Sequence, residues 1–424
     1  MIRILRLILF LLLIPAAARA QNTSKEIFAQ GQAAAVGSSQ AIELFHRYTR
    51  LEPDDAWGFL ALAEALAAAR RFGDAETALH RAEALAPGDD DVAVVKARLE
   101  RARRAFLPAV KPTAFVTRDT DENTSVTFGA MGDAALGTTV RAGLTGGRTS
   151  TDDGVSTATI ERGAATLAVK TASVRWEAEA GAARLNHVRS RTVAVGQTHL
   201  RWTPGAGGLV TDVRIRQTPV TSVYSLVSAE TMLTEARGLL DVPLFAGLKL
   251  RASGQLGSLE TRTLTPIGPA RPGRGNGQQY FALVDKNQRT GFGGGLVLPY
   301  SPVSEASVSA YRLQYDDAGP GLYFAPEYVD VLELGTYAEI YRLDPVTIAL
   351  DAGVGAQRAK PFGQPEGGVK PAYRLWSQVT LPLGRYVDFN GEVDFYRSQL
   401  APVATTSAGW SSLAAGVSLR WLLR

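Results

Sequence analysis

Charged side chains recur at every second position along several stretches of this chain, and they are the residues best able to do chemistry. Arg175, Glu177 and Glu179 alternate with Val174, Trp176, Ala178 and Ala180. Asp212, Arg214 and Arg216 keep the same rhythm, as do Lys249 and Arg251, then Asp388, Glu392 and Asp394, and finally Arg420. Tyr337, Glu339 and Tyr341 share one face of another such stretch. Carboxylates accept hydrogen bonds from hydroxyls, guanidinium groups donate them, and flat aromatic rings stack on sugar rings. Such a set suits the passage of a polar, hydroxyl-rich polymer. It equally suits a wet interior where charges of both signs simply pair with one another.

Catalytic sets are hard to assemble from the same chain. There is no cysteine, which excludes disulfides and thiolate metal sites. Gly-x-Ser-x-Gly, His-Glu-x-x-His and phosphate-loop patterns do not occur. His46 and His80 stand alone, and no serine is spaced to serve His187 or His199 as a hydrolase would require. Asp119, Asp121 and Asn123 form half of a calcium loop. Thr124 then replaces the needed glycine and Ala130 the bidentate glutamate, so an ordinary turn is expected. The glycine-rich run 291–295 lies in a strand pattern, where glycines relieve crowding. We therefore expect no enzyme activity and no cofactor. A formal charge of +4 on 424 residues gives no reason to expect a nucleic-acid partner.

Alternation with period two predicts β-strands through residues 109–424. Val387, Phe389, Gly391, Val393 and Phe395 against Asp388, Asn390, Glu392 and Asp394 is one example. The stretches are long enough to cross a bilayer at a tilt, and lipid permits no open sheet edge. The expected fold is an all-β transmembrane barrel of about 16 antiparallel strands, with 14 as the alternative. A secreted soluble β protein is the competing class. Proline-bearing turns are expected around Tyr300 and Pro302, and around Leu343 and Pro345. Long polar loops are expected at 146–157, 258–289, 359–371 and 398–408. The 258–289 loop is the longest, and it either constricts the lumen or lies on the surface. Trp202, Tyr224, Tyr300, Tyr311, Tyr373, Tyr386, Tyr396 and Trp410 are assigned to two aromatic girdles. Alternation continues to Trp421, the kind of terminal strand that outer-membrane assembly machinery reads.

Residues 1–20 read as a signal peptide. Arg3 and Arg6 precede the apolar run from Leu7 to Ile14, and Ala18, Arg19 and Ala20 form the cleavage site. Residues 21–108 change to helical periodicity. Pro53 and Pro87 lie 34 residues apart, and Phe59, Leu62, Ala63, Leu66, Ala75, Leu79, Ala82 and Pro87 fall where helix pairs would meet in a groove. This pattern resembles tetratricopeptide repeats (TPRs), complete in one repeat and partial in another, with a third helix from Asp91 capping the stack. A generic helical hairpin bundle is the plainer alternative.

A small TPR module ahead of an outer-membrane barrel resembles the exopolysaccharide exporters, among them the TPR-bearing barrel family that serves cellulose synthase. Tyr323, Phe324, Ala325 and Pro326 are similar to that family's Tyr-Phe-Ser-Pro segment entering a late strand. Arg118, Asp119, Thr120 and Asp121 are similar to the turn after its first strand. The resemblance implies a bacterial outer-membrane porin that exports a polysaccharide such as cellulose. Its TPR module would sit in the periplasm and contact the polymer or proteins of a synthase complex. The family carries many more repeats than this chain, so a partner would have to complete the span. A non-conducting receptor or assembly barrel, whose TPR recruits periplasmic proteins, is the alternative.

Overall fold

The computed structural model describes residues 24–34, 36–171, 173–187, 189–204, 209–245, 247–267, 279–301, 304–343, 346–397 and 410–423. The signal peptide expected at 1–20 and the loop expected at 398–408 lie outside these residues. The chain divides into two compact units at the Leu107–Pro108 bond.

The first unit is helical. Helix α1 covers residues 24–33. It is followed by α2 (Ser39–Leu51), α3 (Ala56–Ala68), α4 (Phe72–Leu85) and α5 (Asp90–Phe106). Three starts carry the side chains that satisfy orphan helix N–H groups: Ser38 accepts from the Ala41 amide, Asp55 from Trp57, and Asp89 from Asp91 and Val92. Ile42, Phe45, Leu62, Leu66, Leu79 and Leu99 form one buried core with Ala63, Ala75 and Ala82. The alanines let neighbouring helices approach, and the leucines fill the space between them.

The second unit is a closed, sixteen-strand antiparallel barrel in which every strand pairs with its sequence neighbours and β1 pairs with β16. Its first half is β1 (Ala109–Asp119), β2 (Thr124–Ala135), β3 (Val140–Asp152), β4 (Thr157–Lys170), β5 (Val174–Asn186), β6 (Ser190–Trp202), β7 (Val210–Pro219) and β8 (Met232–Pro243). The second half is β9 (Lys249–Ile267), β10 (Gln279–Ser301), β11 (Ser304–Tyr315), β12 (Tyr328–Leu343), β13 (Val346–Lys360), β14 (Lys370–Pro382), β15 (Val387–Arg397) and β16 (Ser412–Leu422). One short helix, α6 (Tyr224–Ser228), interrupts the β7–β8 connection. Among the described residues, no helix is long and apolar enough to cross a membrane.

Alternation decides which face each residue takes. Leu296, Val308, Leu334 and Val354 lie side by side in the strand register, forming an apolar row across β10 to β13. All four are exposed on the outer wall. Phe128, Leu144, Leu256 and Leu332 are likewise exposed. An apolar outer belt on a sheet without edges is what the hydrocarbon of a bilayer requires. On the inner face, the Tyr311 ring lies over β10 so closely that a Cβ at Gly291 would come within 2.1 Å of its hydroxyl. Glycine is needed there to make room.

Three expectations are corrected. The supposed loop at 258–289 is largely strand, because β9 and β10 continue past the belt to Ile267 and from Gln279. The supposed loop at 146–157 shrinks to a turn between Asp152 and Thr157. Of the girdle aromatics, Trp202, Tyr300 and Tyr373 are exposed. Tyr311, Tyr396 and Trp410 instead line the interior, and Tyr224 belongs to α6. For Tyr311 and Tyr396, parity along the strand rather than nearness to its end sets the face they occupy.

Candidate functional site in the barrel lumen

Inward side chains enclose a cavity of about 1090 Å³. One side is built by β6 to β9. Each strand contributes cations at alternate positions: Arg201, then Arg214 and Arg216, then Arg237, then Lys249 and Arg251. Glu235, almost completely buried, is shared by Arg216 at 2.9 Å, Arg237 at 2.7 Å and the fully buried Arg289 of β10. Arg251 chelates Asp241 at 2.7 and 2.8 Å and reaches Glu305 of β11 at 3.0 Å. His199 and Arg214 both approach Asp212, at 2.8 and 3.7 Å.

The opposite inner wall, β12 to β15, is weighted toward acids, and Tyr337, Glu339, Asp394 and Tyr396 are the residues it gives to the cavity lining. Arg374 bridges Glu333 at 2.9 Å and Asp351. Trp376 donates its indole N–H to Glu392 at 2.6 Å. The Tyr337 hydroxyl donates to Glu339 at 2.5 Å.

One mouth is filled by two connections that the sequence pattern had not marked. The β7–β8 connection, with α6 at its centre, reaches across the opening. The Thr221 carbonyl accepts from Ser125 of β2 at 2.6 Å and from Thr151 of β3 at 2.5 Å. The Tyr224 amide donates to Asn123 at 3.0 Å, and its hydroxyl meets His187 at 2.9 Å. On the far side, Ser225 donates to the Leu322 carbonyl in the β11–β12 connection at 3.5 Å. Val223 and Leu226 pack with Tyr323 and Ala325 onto Leu233, Leu259, Leu313 and Tyr315 at the inner strand ends. Glu230, whose φ of 46° is unusual for a residue with a side chain, is held by Arg191 at 3.2 Å and Arg262 at 3.7 Å. The apolar contact and these ties make the two connections a plug.

Of the residues chosen from the sequence, Glu392 is the acceptor of the Trp376 indole, and the others fall into three groups. Arg214, Arg216, Lys249, Arg251, Tyr337, Glu339 and Asp394 line the one cavity. Arg175 pairs with Glu177 at 2.7 Å, Glu179 with Arg162 at 2.5 Å, and Asp388 with Arg420 at 3.5 Å. The Tyr341 side chain lies outside the described residues. Sequence reasoning missed Glu235, Arg237, Arg289, Arg374 and Trp376, although the period-two rule applied to β8, β10 and β14 reaches every one of them. In the β1–β2 turn, one Asp119 oxygen accepts from the amides of Asp121 and Asn123, each at 2.9 Å, and Trp410 donates to the other at 3.2 Å. The half calcium loop thus closes on itself. Burial and the neighbouring Asp119 raise the Asp121 carboxyl above its usual range. Among the described residues, no group of three or more His, Asp or Glu side chains could hold a metal ion.

In the helical unit, Leu62, Ala63, Leu66, Ala75, Leu79 and Ala82 are buried between helices, and Phe59 packs against them. Pro87 is exposed in the α4–α5 connection. His46 and His80 are exposed.

The family model for the tetratricopeptide repeat matches residues 38–99. Curated protein sequences give no match to the chain. Among solved structures, a bacterial polysaccharide outer membrane secretin is similar over 75% of this chain and 99% of that one, at 12% identity and a TM-score of 0.49. Acinetobacter baumannii OccAB1 is similar over 75% of this chain and 97% of that one, at 8% identity and a TM-score of 0.40. Pseudomonas aeruginosa OccK5 (OpdH) is similar over 75% of this chain and 98% of that one, at 10% identity and a TM-score of 0.36. The closed sheet, the apolar outer belt and the polar interior make the second unit a porin-like barrel of the outer-membrane kind, carried behind a tetratricopeptide-repeat module.

Proposed function

We propose that this protein is a gated conduit through which a polar exopolysaccharide, cellulose among the candidates, leaves the cell. In this reading the mouth with short turns, where β1 begins, faces the periplasm. The TPR module would be periplasmic and contact the polymer or proteins of a synthase complex. The observation that carries the reading is a cavity lined by carboxylates, guanidinium groups and tyrosines beneath a mouth that the chain's own connections fill. Such a lining can exchange hydrogen bonds with hydroxyls as they pass. The plug is held by two apolar clusters, one around Val223 and Leu226 and one around Val227, by a few hydrogen bonds and by the ion pairs of Glu230, and it is small enough to move as a unit.

The filled mouth also favours a second reading, in which the barrel never conducts and the TPR recruits periplasmic proteins. One experiment separates the two. The chain has no cysteine, so Ser225→Cys with Leu322→Cys places a single reducible link across the plug. In planar bilayers, the linked protein should stay closed and gain conductance on reduction. A version with the 316–327 connection shortened should be open throughout. Silence from the wild type and the shortened version alike would falsify conduction and leave the recruiting barrel.

A further inference from the structure

The inner wall of the barrel has two faces of opposite sign, and both reach the cavity, through Arg201, Arg214, Arg216, Arg237, Lys249 and Arg251 on one side and Glu339 and Asp394 on the other. On β6 to β10 cations gather round carboxylates, with the guanidinium groups of Arg216, Arg237 and Arg289 sharing Glu235. Arg201 and Lys249 add to that side and form no ion pair among the described residues. On β12 to β15 the ratio inverts. Two carboxylates, Glu333 and Asp351, share Arg374, and Asp394 lines the cavity with no ion pair among the described residues. In the closed strand order β7 lies half-way round from β15, so Arg214 and Asp394 face one cavity from opposite walls.

The charges left over from these pairings, Arg201 and Lys249 on one wall and Asp394 on the other, lie on opposite sides of the cavity. Separated charge creates a field across the lumen, at right angles to its axis. A polyanion attracted by the first wall is repelled by the second, and a polycation meets the reverse. A chain without net charge meets neither penalty. Its hydroxyls can accept from the guanidinium wall and donate to the carboxylate wall at the same depth.

We infer that the conduit is selective for net-neutral, hydroxyl-rich glycan chains over polyanionic and polycationic ones, the two opposed walls acting as its specificity element. This rests on the conduit reading. The test uses the full chain in planar bilayers with three probes: neutral β-glucan oligomers, oligomers with a carboxylate on each ring, and oligomers with an amine on each ring. The wild type should discriminate little between K⁺ and Cl⁻. The neutral oligomer should block current roughly tenfold more tightly than either charged one. Arg201→Gln with Arg214→Gln and Lys249→Gln should turn the pore cation-selective and favour the aminated probe. Asp394→Asn with Glu339→Gln should turn it anion-selective and favour the carboxylated probe. A wild type strongly selective for one sign, or walls whose neutralisation leaves selectivity unchanged, overturns the inference while the conduit stands. No conductance from the wild type or the loop-shortened chain overturns both.

Discussion

The helical unit and the barrel arrange the same kinds of residue inside out. In the helical unit Leu66 and Ala75 are sealed in the core, and Glu64 and Arg98 pair on the surface at 2.7 Å. In the barrel Leu334 is 62% exposed on the outer wall, whereas Arg289 is completely enclosed. The rule behind both is one: apolar atoms leave water, and buried charge survives only with partners. What differs is the solvent outside. Water surrounds the helices, while the belt is made for hydrocarbon, so the barrel keeps its polar network within. The two units should therefore respond in opposite ways to the same substitution.

The largest effect should come from the enclosed charge. Removing the Glu235 carboxylate leaves three guanidinium groups facing one another, one of them fully buried. Glu235→Ala should cost the barrel about 3–5 kcal/mol, read from urea unfolding in lipid vesicles by tryptophan fluorescence. Glu235→Gln keeps an acceptor and should cost less. A loss of under about 1 kcal/mol for the alanine variant would mean that the three arginines find other partners, and that the network does not hold β7 to β10 together.

The next effect tests the inversion directly. Leu66→Ala opens a void in the helical core and should cost about 2–5 kcal/mol, seen as lost 222 nm ellipticity with the heat-modifiable gel shift of the barrel unchanged. Leu334→Ala, which faces the outside, should cost little. Leu334→Arg should cost the barrel about 2–4 kcal/mol in vesicles, because a cation then faces lipid. Equal penalties for Leu66→Ala and Leu334→Ala would show that the outer belt is packed against protein instead.

Much of this architecture was legible because it follows from local periodicity. The helical spacing of Leu62, Leu66 and Leu79 and the alternation around Tyr337 and Glu339 each report a face without knowledge of any neighbour. About sixteen strands, with fourteen as the alternative, followed from the length of the alternating region and the need to close the sheet. The plug was not legible. Helix α6 has five residues, too few to show a period, and Val223 and Leu226 are buried only because Tyr323 and Leu313 arrive from elsewhere in the chain. The extended hairpin of β9 and β10 was hidden for a related reason. Its glycine- and proline-rich tip resembles loop, and the pairing partner that makes 258–267 a strand lies beyond that tip. The shared partners of Glu235 were obscured too. Each cation was visible, but which carboxylate they converge on depends on the register between strands.

The smallest effect lies in the helical unit, where one polar group is partly buried and tied to a carboxylate. The Tyr48 ring lies against Gly58, and its hydroxyl donates to Asp55 at 2.6 Å, the residue that also caps α3. Burial, reinforced by the Asp55 and Glu52 carboxylates, raises the phenol above its usual value. The folded state therefore holds this proton to higher pH than the unfolded chain does. The stabilisation is complete below the ordinary phenol value near 10 and is lost as pH rises through the folded value. Tyr48→Phe should cost about 1 kcal/mol at neutral pH through the lost hydrogen bond. It should also remove much of the alkaline decline in the 222 nm melting temperature above about pH 10. If the variant declines with pH as steeply as the wild type, the alkaline sensitivity arises elsewhere. In that case the Tyr48 phenol does not link the α2 core to the cap of α3.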